Sequence, residues 1–214
     1  MEKQLYIFSG LGADERVFQR IDFSEYSIKH IQWEAPVEKE SIEEYAARLL
    51  NQITTPNPIL LGISFGGMMA VEIAKQIEVK KVIVISSVKI RKELPLCFRL
   101  AGMVRLHFLF PYRLMKKSNR MTNWFFGIDS RIDEHLLKQI LTDTDIFFLK
   151  WAIDKIVRWN NKTIPENIFH IHGSNDKIFP FDNVKMDAII HEGGHFMIMN
   201  KAEEVNEILK RELN

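Results

Sequence analysis

Residues 57–77 read N-P-I-L-L-G-I-S-F-G-G-M-M-A-V-E-I-A-K-Q-I, and this stretch decides the fold. The apolar run Ile59–Leu61 predicts a buried strand, and the apolar spacing that follows Gly67 predicts a helix. Between the two lies a Gly-x-Ser-x-Gly pentad centred on Ser64. Glycines flank a serine in this way where a strained turn brings the backbone so close to its neighbours that no larger residue fits. The stretch therefore predicts a strand, a tight turn and a helix, with the serine hydroxyl above the edge of a sheet.

The predicted turn also sets Ser64 immediately before a helix N-terminus. The free N–H groups there, and the positive end of the helix dipole, favour negative charge that develops on a neighbouring atom. The alternative is a glycine-rich turn that carries a bystander serine. Because the pentad stands between an apolar strand and an apolar helix, the pattern favours a nucleophilic serine.

Length and composition restrict the class of protein. A chain of 214 residues suits one domain with room for an inserted subdomain, and it can bury a core without disulfide or metal support. Its single cysteine, Cys97, excludes an internal disulfide, which fits a reducing compartment, and we expect a packing role for it. A net charge of +1 argues against a nucleic-acid-binding protein.

The N-terminal residues read directly as a strand and not as a signal peptide. No window of the sequence approaches the roughly 18 apolar residues of a membrane span. We therefore expect a soluble, cytoplasmic protein with no stable membrane insertion.

Strand and helix patterns alternate along most of the chain. A helix is predicted from Ser41, which reads as the N-cap of a capping box with Glu44, through Ile53. Such alternation favours a parallel sheet covered by helices on both faces. Besides the strand before Ser64, the predicted strands are Leu5–Phe8, Tyr26–Trp33, Val82–Ile85, Ile168–His172 and Ala188–His191.

The alternation breaks between Val88 and about Glu166, where aromatic, Met and Leu residues mix with basic residues in helical spacing. This segment holds fifteen Lys or Arg and eight Asp or Glu, a balance of +7, so the rest of a chain with net charge +1 carries −6. We interpret residues 88–166 as an inserted helical cap, including a return helix over Thr142–Trp159. Residues 1–87 and 167–214 then form the α/β core.

The predicted cap contains a basic run without an acidic residue. The simplest interpretation is a solvated face of amphipathic helices whose apolar underside lines a pocket. Two other interpretations are contact with an anionic substrate, such as an acyl thioester of a phosphorylated carrier, and contact with an anionic membrane surface. The run consists of Arg99, Arg105, Arg113, Lys116, Lys117 and Arg120.

Three residues with complementary chemistry follow predicted strands in the order Ser, Asp, His. Ser64 follows one strand, Asp176 follows Ile168–His172, and His195 follows the last strand. The carboxyl ends of parallel strands meet at one edge of a sheet, so these side chains are expected to lie together. A serine nucleophile needs a base within hydrogen-bond reach, and the base needs a third group to orient it.

These residues and their surroundings resemble the α/β-hydrolase superfamily, especially its small cap-bearing members. The resemblance implies a mostly parallel sheet of about six strands, Ser64 as nucleophile, His195 as general base and Asp176 as orienting acid. It also implies an oxyanion hole formed by the backbone N–H groups of Leu11 and Phe65. The family motif usually begins His-Gly where this chain has Ser9-Gly10, so the likeness does not extend to the side chain that usually supports this loop. The matching stretches are residues 9–12, 62–67, 172–180 and 193–196.

Other residues compete for the roles of acid and base. Asp182 lies in the same loop as Asp176 and is the main rival acid, whereas Asp187 opens a strand at the opposite edge. Among the histidines, His191 ends the last strand and is the main rival base. We expect Asp143 and Asp145 to start a helix in the cap, and we expect a buried core role for His170 and also allow one for His172.

We expect no metal and no cofactor. The histidines do not show metal-ligand spacing with an acidic residue. Gly10-Leu11-Gly12 is too short for a dinucleotide-binding fingerprint and lacks its third glycine.

The expected function is that of a serine hydrolase, carboxylesterase-like, acting on a small or medium acyl ester, with a thioester or amide also possible. Its partner would be a small-molecule acyl substrate, and the oligomeric state stays open. Two alternatives remain: hydrolysis or lysis of a carbon–carbon bond with the same residues, and a non-catalytic ligand-binding role on the same fold.

Overall fold

Six strands form one sheet in the computed structural model, which describes residues 4–109, 112, 116 and 119–213. The strand order is β2-β1-β3-β4-β5-β6, and every described strand pair is parallel. The predicted sheet is therefore confirmed. Its strands are β1 (Gln4–Phe8), β2 (Ser27–His30), β3 (Ile59–Ile63), β4 (Lys81–Ile85), β5 (Ile168–Gly173) and β6 (Ala188–Ile190).

The central strands are almost completely buried because both faces of the sheet are covered. Successive residues of a strand point to opposite faces. In β1, Leu5 and Ile7 enter one apolar cluster, and Tyr6 and Phe8 enter the other. This is why these strands read as continuous apolar runs without alternation.

The helices lie between the strands and after the last strand. Among the described residues they are α1 (Ile42–Leu49), α2 (Phe65–Ala74), α3 (Leu96–Met103), α4 (Arg120–Phe126), α5 (Arg131–Asp143), α6 (Ile146–Arg158), α7 (Met197–Asn200) and α8 (Ala202–Leu213). Short 3-10 helices span Glu15–Phe18, Leu50–Gln52, Arg91–Glu93, Leu106–Leu109 and Phe181–Asn183. Side chains of α1 and α2 cover one face of the sheet, and side chains of α7 and α8 cover the other.

The capping box predicted for α1 is present. Glu44 N–H donates to the Ser41 Oγ at 3.1 Å, and Ser41 N–H donates to a Glu44 carboxylate oxygen at 2.8 Å. The α-helix ends at Leu49 and tightens into a 3-10 turn, so it is shorter than the prediction through Ile53. The second predicted strand, Tyr26–Trp33, is also shorter and spans only β2.

Between β4 and β5 the described residues form helices and no strand. Asp145 caps α6 by accepting the N–H groups of Phe147 and Phe148, as predicted for a helix start. The same prediction is wrong for Asp143, which ends α5, because Thr144 leaves the helix with an extended ψ of 126°. The predicted return helix is therefore α6. Residues Arg113 and Lys117 of the basic run lie outside the described residues.

The segment between β4 and β5 is joined to the α/β core by apolar packing. Phe148, Ala152 and Trp159 belong to the same buried cluster as the side chains of α1 and α2. The division of the chain into a core and a separate cap at residues 88–166 stays a prediction. Within the parts of the chain that the structure describes, no helix is long and apolar enough to span a bilayer.

Candidate active site

Ser64 occupies a strained turn between β3 and α2. Its φ of 50° and ψ of −120° lie in a region that residues with a side chain rarely adopt. Close packing leaves room only for glycine beside it: a Cβ atom at Gly62 would collide with the Gly66 carbonyl, and one at Gly66 would collide with the Phe8 carbonyl. The Ser64 N–H donates to the Ile85 carbonyl at 3.0 Å, which ties the turn to the end of β4. Such strain costs about 1–3 kcal/mol, and the surrounding sheet holds it in place.

His195 links Ser64 to Asp176. The His195 Nε2 lies 2.9 Å from the Ser64 Oγ, and its Nδ1 lies 2.8 Å from the Asp176 Oδ2. A carboxylate only accepts, so Nδ1 carries the proton and donates it to Asp176. This tautomer leaves the Nε2 lone pair facing the serine hydroxyl. His195 and Asp176 are buried and Ser64 is partly exposed, so Ser64 is the accessible end of this series of hydrogen-bonded side chains.

Both oxygens of Asp176 are engaged. While Oδ2 accepts from His195, Oδ1 accepts the backbone N–H groups of Ile178 at 2.8 Å and Phe179 at 3.0 Å. Burial by itself would raise the pKa of Asp176, but the neighbouring His195 and His172 and the Phe179 N–H outweigh it and lower the pKa below its usual value. The carboxyl group is therefore ionised at neutral pH, as an orienting acid has to be.

Two histidines of β5, His170 and His172, are completely buried behind Asp176. His172 Nε2 donates to the Phe179 carbonyl at 2.8 Å and lies 3.7 Å from the Asp176 Oδ2. The two rings meet at 3.2 Å, and His170 Nδ1 lies 3.2 Å from the Lys185 carbonyl. Burial lowers the pKa of both imidazoles. The expected core role of His170 is confirmed. His172 is also buried, and its hydrogen bond to Phe179 holds the turn whose N–H groups donate to Asp176.

The competing acids lie elsewhere. Asp182 is exposed in a 3-10 helix, and Asp187 accepts the His170 N–H at 2.8 Å. Asp143 forms an ion pair with Arg16 at 2.8 Å, and Asp145 caps α6. Among the described residues, Asp176 is the acid that contacts His195.

The rival base His191 is exposed at the end of β6. Three or more His, Cys, Asp and Glu side chains do not come together into a possible metal site anywhere in the described ranges.

The loop after β1 stands beside Ser64. A Cβ atom at Gly10 would lie 3.6 Å from the Ser64 Cβ. Leu11, the next residue, is therefore also close to the serine. Within the described ranges, neither the Leu11 N–H nor the Phe65 N–H has a hydrogen-bond partner. Two unpaired donors next to a nucleophile are what an oxyanion hole requires.

Ser9 supports this loop in a way that the sequence did not indicate. Its Oγ donates to the Ala13 carbonyl at 2.6 Å and accepts the Trp33 Nε1–H at 3.0 Å. Thr144, at the junction of α5 and α6, donates its hydroxyl proton to the Ile140 carbonyl at 2.7 Å, and its side chain packs against Gly12 on the other side of the loop. Ser9 and Trp33 are 24 residues apart, and no local sequence signal connects them.

Aromatic side chains surround the three polar residues. The His195 ring lies edge-on to Phe126 and Phe179, with ring centroids 5.7 and 5.5 Å away. On the other side of the strained turn of residues 62–66, which we call the elbow, Phe65 packs in a cluster with Trp33, Tyr45, Phe148 and Trp151. Water is therefore largely excluded from the imidazole and the acid, which strengthens their electrostatic interaction.

A cavity of about 240 Å³ lies behind the backbone of the His195 loop. It is lined by polar residues, among them Asn175, Lys177, Glu192 and Lys201, and does not include Ser64. We therefore do not assign it to the substrate.

No protein-family model and no curated protein matches the chain. Several solved structures do. A bromoperoxidase from Bacillus anthracis is 18% identical with a TM-score of 0.70, covering 100% of this chain and 92% of that chain. A putative lipase from Acinetobacter baumannii AYE is 16% identical with a TM-score of 0.72, covering 99% and 83%. An esterase from Exiguobacterium antarcticum is 15% identical with a TM-score of 0.68, covering 98% and 91%. At these identities the likeness shows the fold, and the chain has the α/β-hydrolase fold.

Proposed function

We propose that the protein is a serine hydrolase that cleaves a small or medium acyl ester through an acyl-enzyme intermediate. The observation that carries this proposal is the hydrogen-bonded chain from Asp176 through His195 to Ser64, with contacts of 2.8 and 2.9 Å. The esterase and the lipase among the structurally similar proteins support an ester as substrate.

In the proposed reaction the Ser64 Oγ attacks the substrate carbonyl while His195 Nε2 takes its proton. The negative charge that develops on the carbonyl oxygen is stabilised by the N–H groups of Leu11 and Phe65. Donors of this kind lower the barrier by about 3–4 kcal/mol each. His195 then gives the proton to the leaving alcohol, and a water molecule activated by the same nitrogen releases the acyl group from Ser64.

Selectivity among acyl groups is expected to be modest. Phe126 and Phe179 beside His195, and the cluster of Phe65 with Phe148 and Trp151, offer shape without directional polar groups. One methylene in such surroundings changes discrimination by about 1–3 kcal/mol. A thioester or amide would use the same residues. The ester is favoured only by the esterase and the lipase among the structurally similar proteins.

Covalent labelling tests whether Ser64 is a nucleophile at all. The purified protein should react with a fluorophosphonate probe and hydrolyse nitrophenyl esters of short and medium acyl chains. Ser64→Ala should do neither, and the matched control Ser24→Ala, at an exposed serine far from the elbow along the chain, should do both. Labelling of the Ser64→Ala variant would place the reactive nucleophile at another residue, and an unreactive wild-type protein would favour the ligand-binding alternative.

A further inference from the structure

Large apolar side chains are exposed mainly on one segment of the chain. In the stretch Met103–Leu109, which we call the apolar protrusion, every residue except His107 is exposed. Leu109 is 81% and Val104 is 72% exposed. Further exposed apolar side chains lie on α3 and α4, namely Leu96, Leu100, Met121, Trp124 and Phe125. Exposed apolar residues grouped in this way indicate an interaction surface, whereas single ones are common.

The apolar protrusion is attached to α6 by a buried hydrogen bond. His107 is buried, and its Nε2 donates to the Asp154 Oδ1 at 2.9 Å. Asp154 also accepts from Arg158, one turn further along α6, at 3.2 Å. The exposed side chains are thus carried on a turn that is anchored to a helix by a buried polar contact.

The stretch of sequence that contains the protrusion carries charge of one sign. Residues 94–128 contain six Lys or Arg and no Asp or Glu, a formal charge of +6. Of these cations, Arg105 lies within the protrusion and Arg120 begins α4, and both are exposed. The remainder of the chain carries −5, because the total is +1. The partner of this surface must therefore be negatively charged and able to accept protruding apolar side chains.

We propose that the apolar protrusion and the neighbouring residues of α3 and α4 dock the protein on an anionic lipid surface. Apolar side chains that enter the boundary between headgroups and acyl chains, combined with cations at the headgroups, are the two contributions that bind such surfaces. A second copy of the chain is the less favourable occupant, since two such faces would bring the exposed cations Arg105 and Arg120 against the same cations. A bilayer also accepts exposed side chains without a complementary groove.

Docking in this way orients the candidate active site toward the lipid. On α3, Phe98 contacts Phe179 with ring centroids 6.5 Å apart, and on α4, Phe126 contacts His195. The elements that carry the exposed apolar residues therefore border the imidazole. If the proposed hydrolase function holds, on which this step alone rests, the substrate would be an acyl ester taken from the lipid phase.

Vesicle binding tests the docking without any catalysis. The full chain, in the Ser64→Ala form as well as the wild type, should sediment with vesicles of phosphatidylglycerol and phosphatidylcholine in equal parts. Partitioning should fall at least about tenfold on pure phosphatidylcholine and should weaken as salt rises. Equal binding to both vesicle types, or no binding, would overturn the proposal even if the protein is an active esterase.

Variants locate the surface. Leu106→Ser with Leu109→Ser should reduce vesicle binding about tenfold or more, and so should Arg105→Glu. The matched control, Val37→Ser with Ile189→Ser, changes exposed apolar residues elsewhere in the chain and should bind as the wild type does. Hydrolysis of a water-soluble short-chain ester should be unchanged in all of them, which shows that they are folded. A dimer that Leu106→Ser with Leu109→Ser abolishes, without vesicle binding by the wild type, would replace the lipid by a second copy.

Discussion

The Asp176 Oδ2 and the His195 Nδ1 are 2.8 Å apart, and both side chains are at least nine-tenths buried. Because the other carboxylate oxygen is held by two backbone N–H groups, the acid has no freedom to rotate away from the imidazole. The tautomer of His195 with its proton on Nδ1 is therefore fixed before any substrate binds.

Replacing this acid should disable the reaction without unfolding the protein. In Asp176→Asn the amide can donate to Nδ1, which leaves the proton on Nε2, where it blocks transfer from Ser64. We expect a loss of about four orders of magnitude in kcat/KM for a nitrophenyl ester. Asp182→Asn is the matched control, and a large loss there with a mild effect at Asp176 would assign the acid to Asp182.

Two substitutions of Ser64 should lower the activity equally but differ in their effect on stability. Both Ser64→Ala and Ser64→Gly should lose several orders of magnitude in kcat, because members of a catalytic triad act as a unit. Glycine accepts a φ of 50° without steric cost, so Ser64→Gly should unfold at a higher urea concentration than Ser64→Ala. The expected difference in the free energy of unfolding is about 1 kcal/mol. Equal midpoints would mean that the elbow stores no backbone strain.

The sequence indicated the elbow because its evidence is local. Gly62, Ser64 and Gly66 lie within five residues, and the collision that excludes a larger residue at Gly62 is with the Gly66 carbonyl of the same turn. The same holds for the capping box of Ser41 and Glu44, which α1 shows at the predicted positions. Structures that depend on residues close together in the sequence can be predicted from the spacing of those residues.

The sequence did not reveal features that depend on distant partners. The hydrogen bonds of Ser9 with Trp33 and Ala13 support the loop that the family resemblance left without its usual side chain. The contact of His172 with the turn after Asp176 was equally hidden, because burial on a parallel strand explains a histidine there without any other role. Thr144 ends α5 through its backbone, which no propensity of the flanking residues indicates.

Acid should destabilise the folded state before the carboxyl groups titrate. Burial lowers the pKa of His170 and His172, so between their folded values and about 6.5 the unfolded chain binds more protons than the folded one. The free energy of unfolding is then full above pH about 6.5 and falls as the pH is lowered through that value. Each histidine contributes a slope of up to about 1.4 kcal/mol per pH unit.

Urea unfolding between about pH 8 and pH 5 measures this slope. An exposed histidine provides the control: we expect His170→Gln to reduce the slope more than His191→Gln does. A wild-type protein with the same stability throughout this range would show that the two histidines bind protons equally in the folded and unfolded states, so that burial does not lower their pKa.

The loop beside Ser64 should depend on the Ser9–Trp33 contact. Ser9→Ala and Trp33→Phe each remove the 3.0 Å hydrogen bond between the loop and the strand exit. We expect kcat to fall about tenfold with little change in KM, because misplaced oxyanion donors weaken the transition state more than the bound substrate. The double variant should be little worse than either single one. Full additivity of the two effects would separate this hydrogen bond from catalysis.

The close approach of Gly127 to Gly194 has a consequence for how a substrate enters. A Cβ atom at Gly194 would lie 2.8 Å from the Gly127 Cα, and the Phe196 N–H donates to the Phe126 carbonyl at 2.9 Å. The end of α4 is thus in contact with the residues on both sides of His195 in the sequence. A movement of α4 away from the core would therefore carry His195 away from Ser64. Opening the site by that movement and keeping the hydrogen bond between His195 and Ser64 exclude each other. In the proposed reaction the substrate would then enter between side chains without a movement of the backbone. A molecule that displaced α4 would be expected to lower the proposed activity without contacting Ser64.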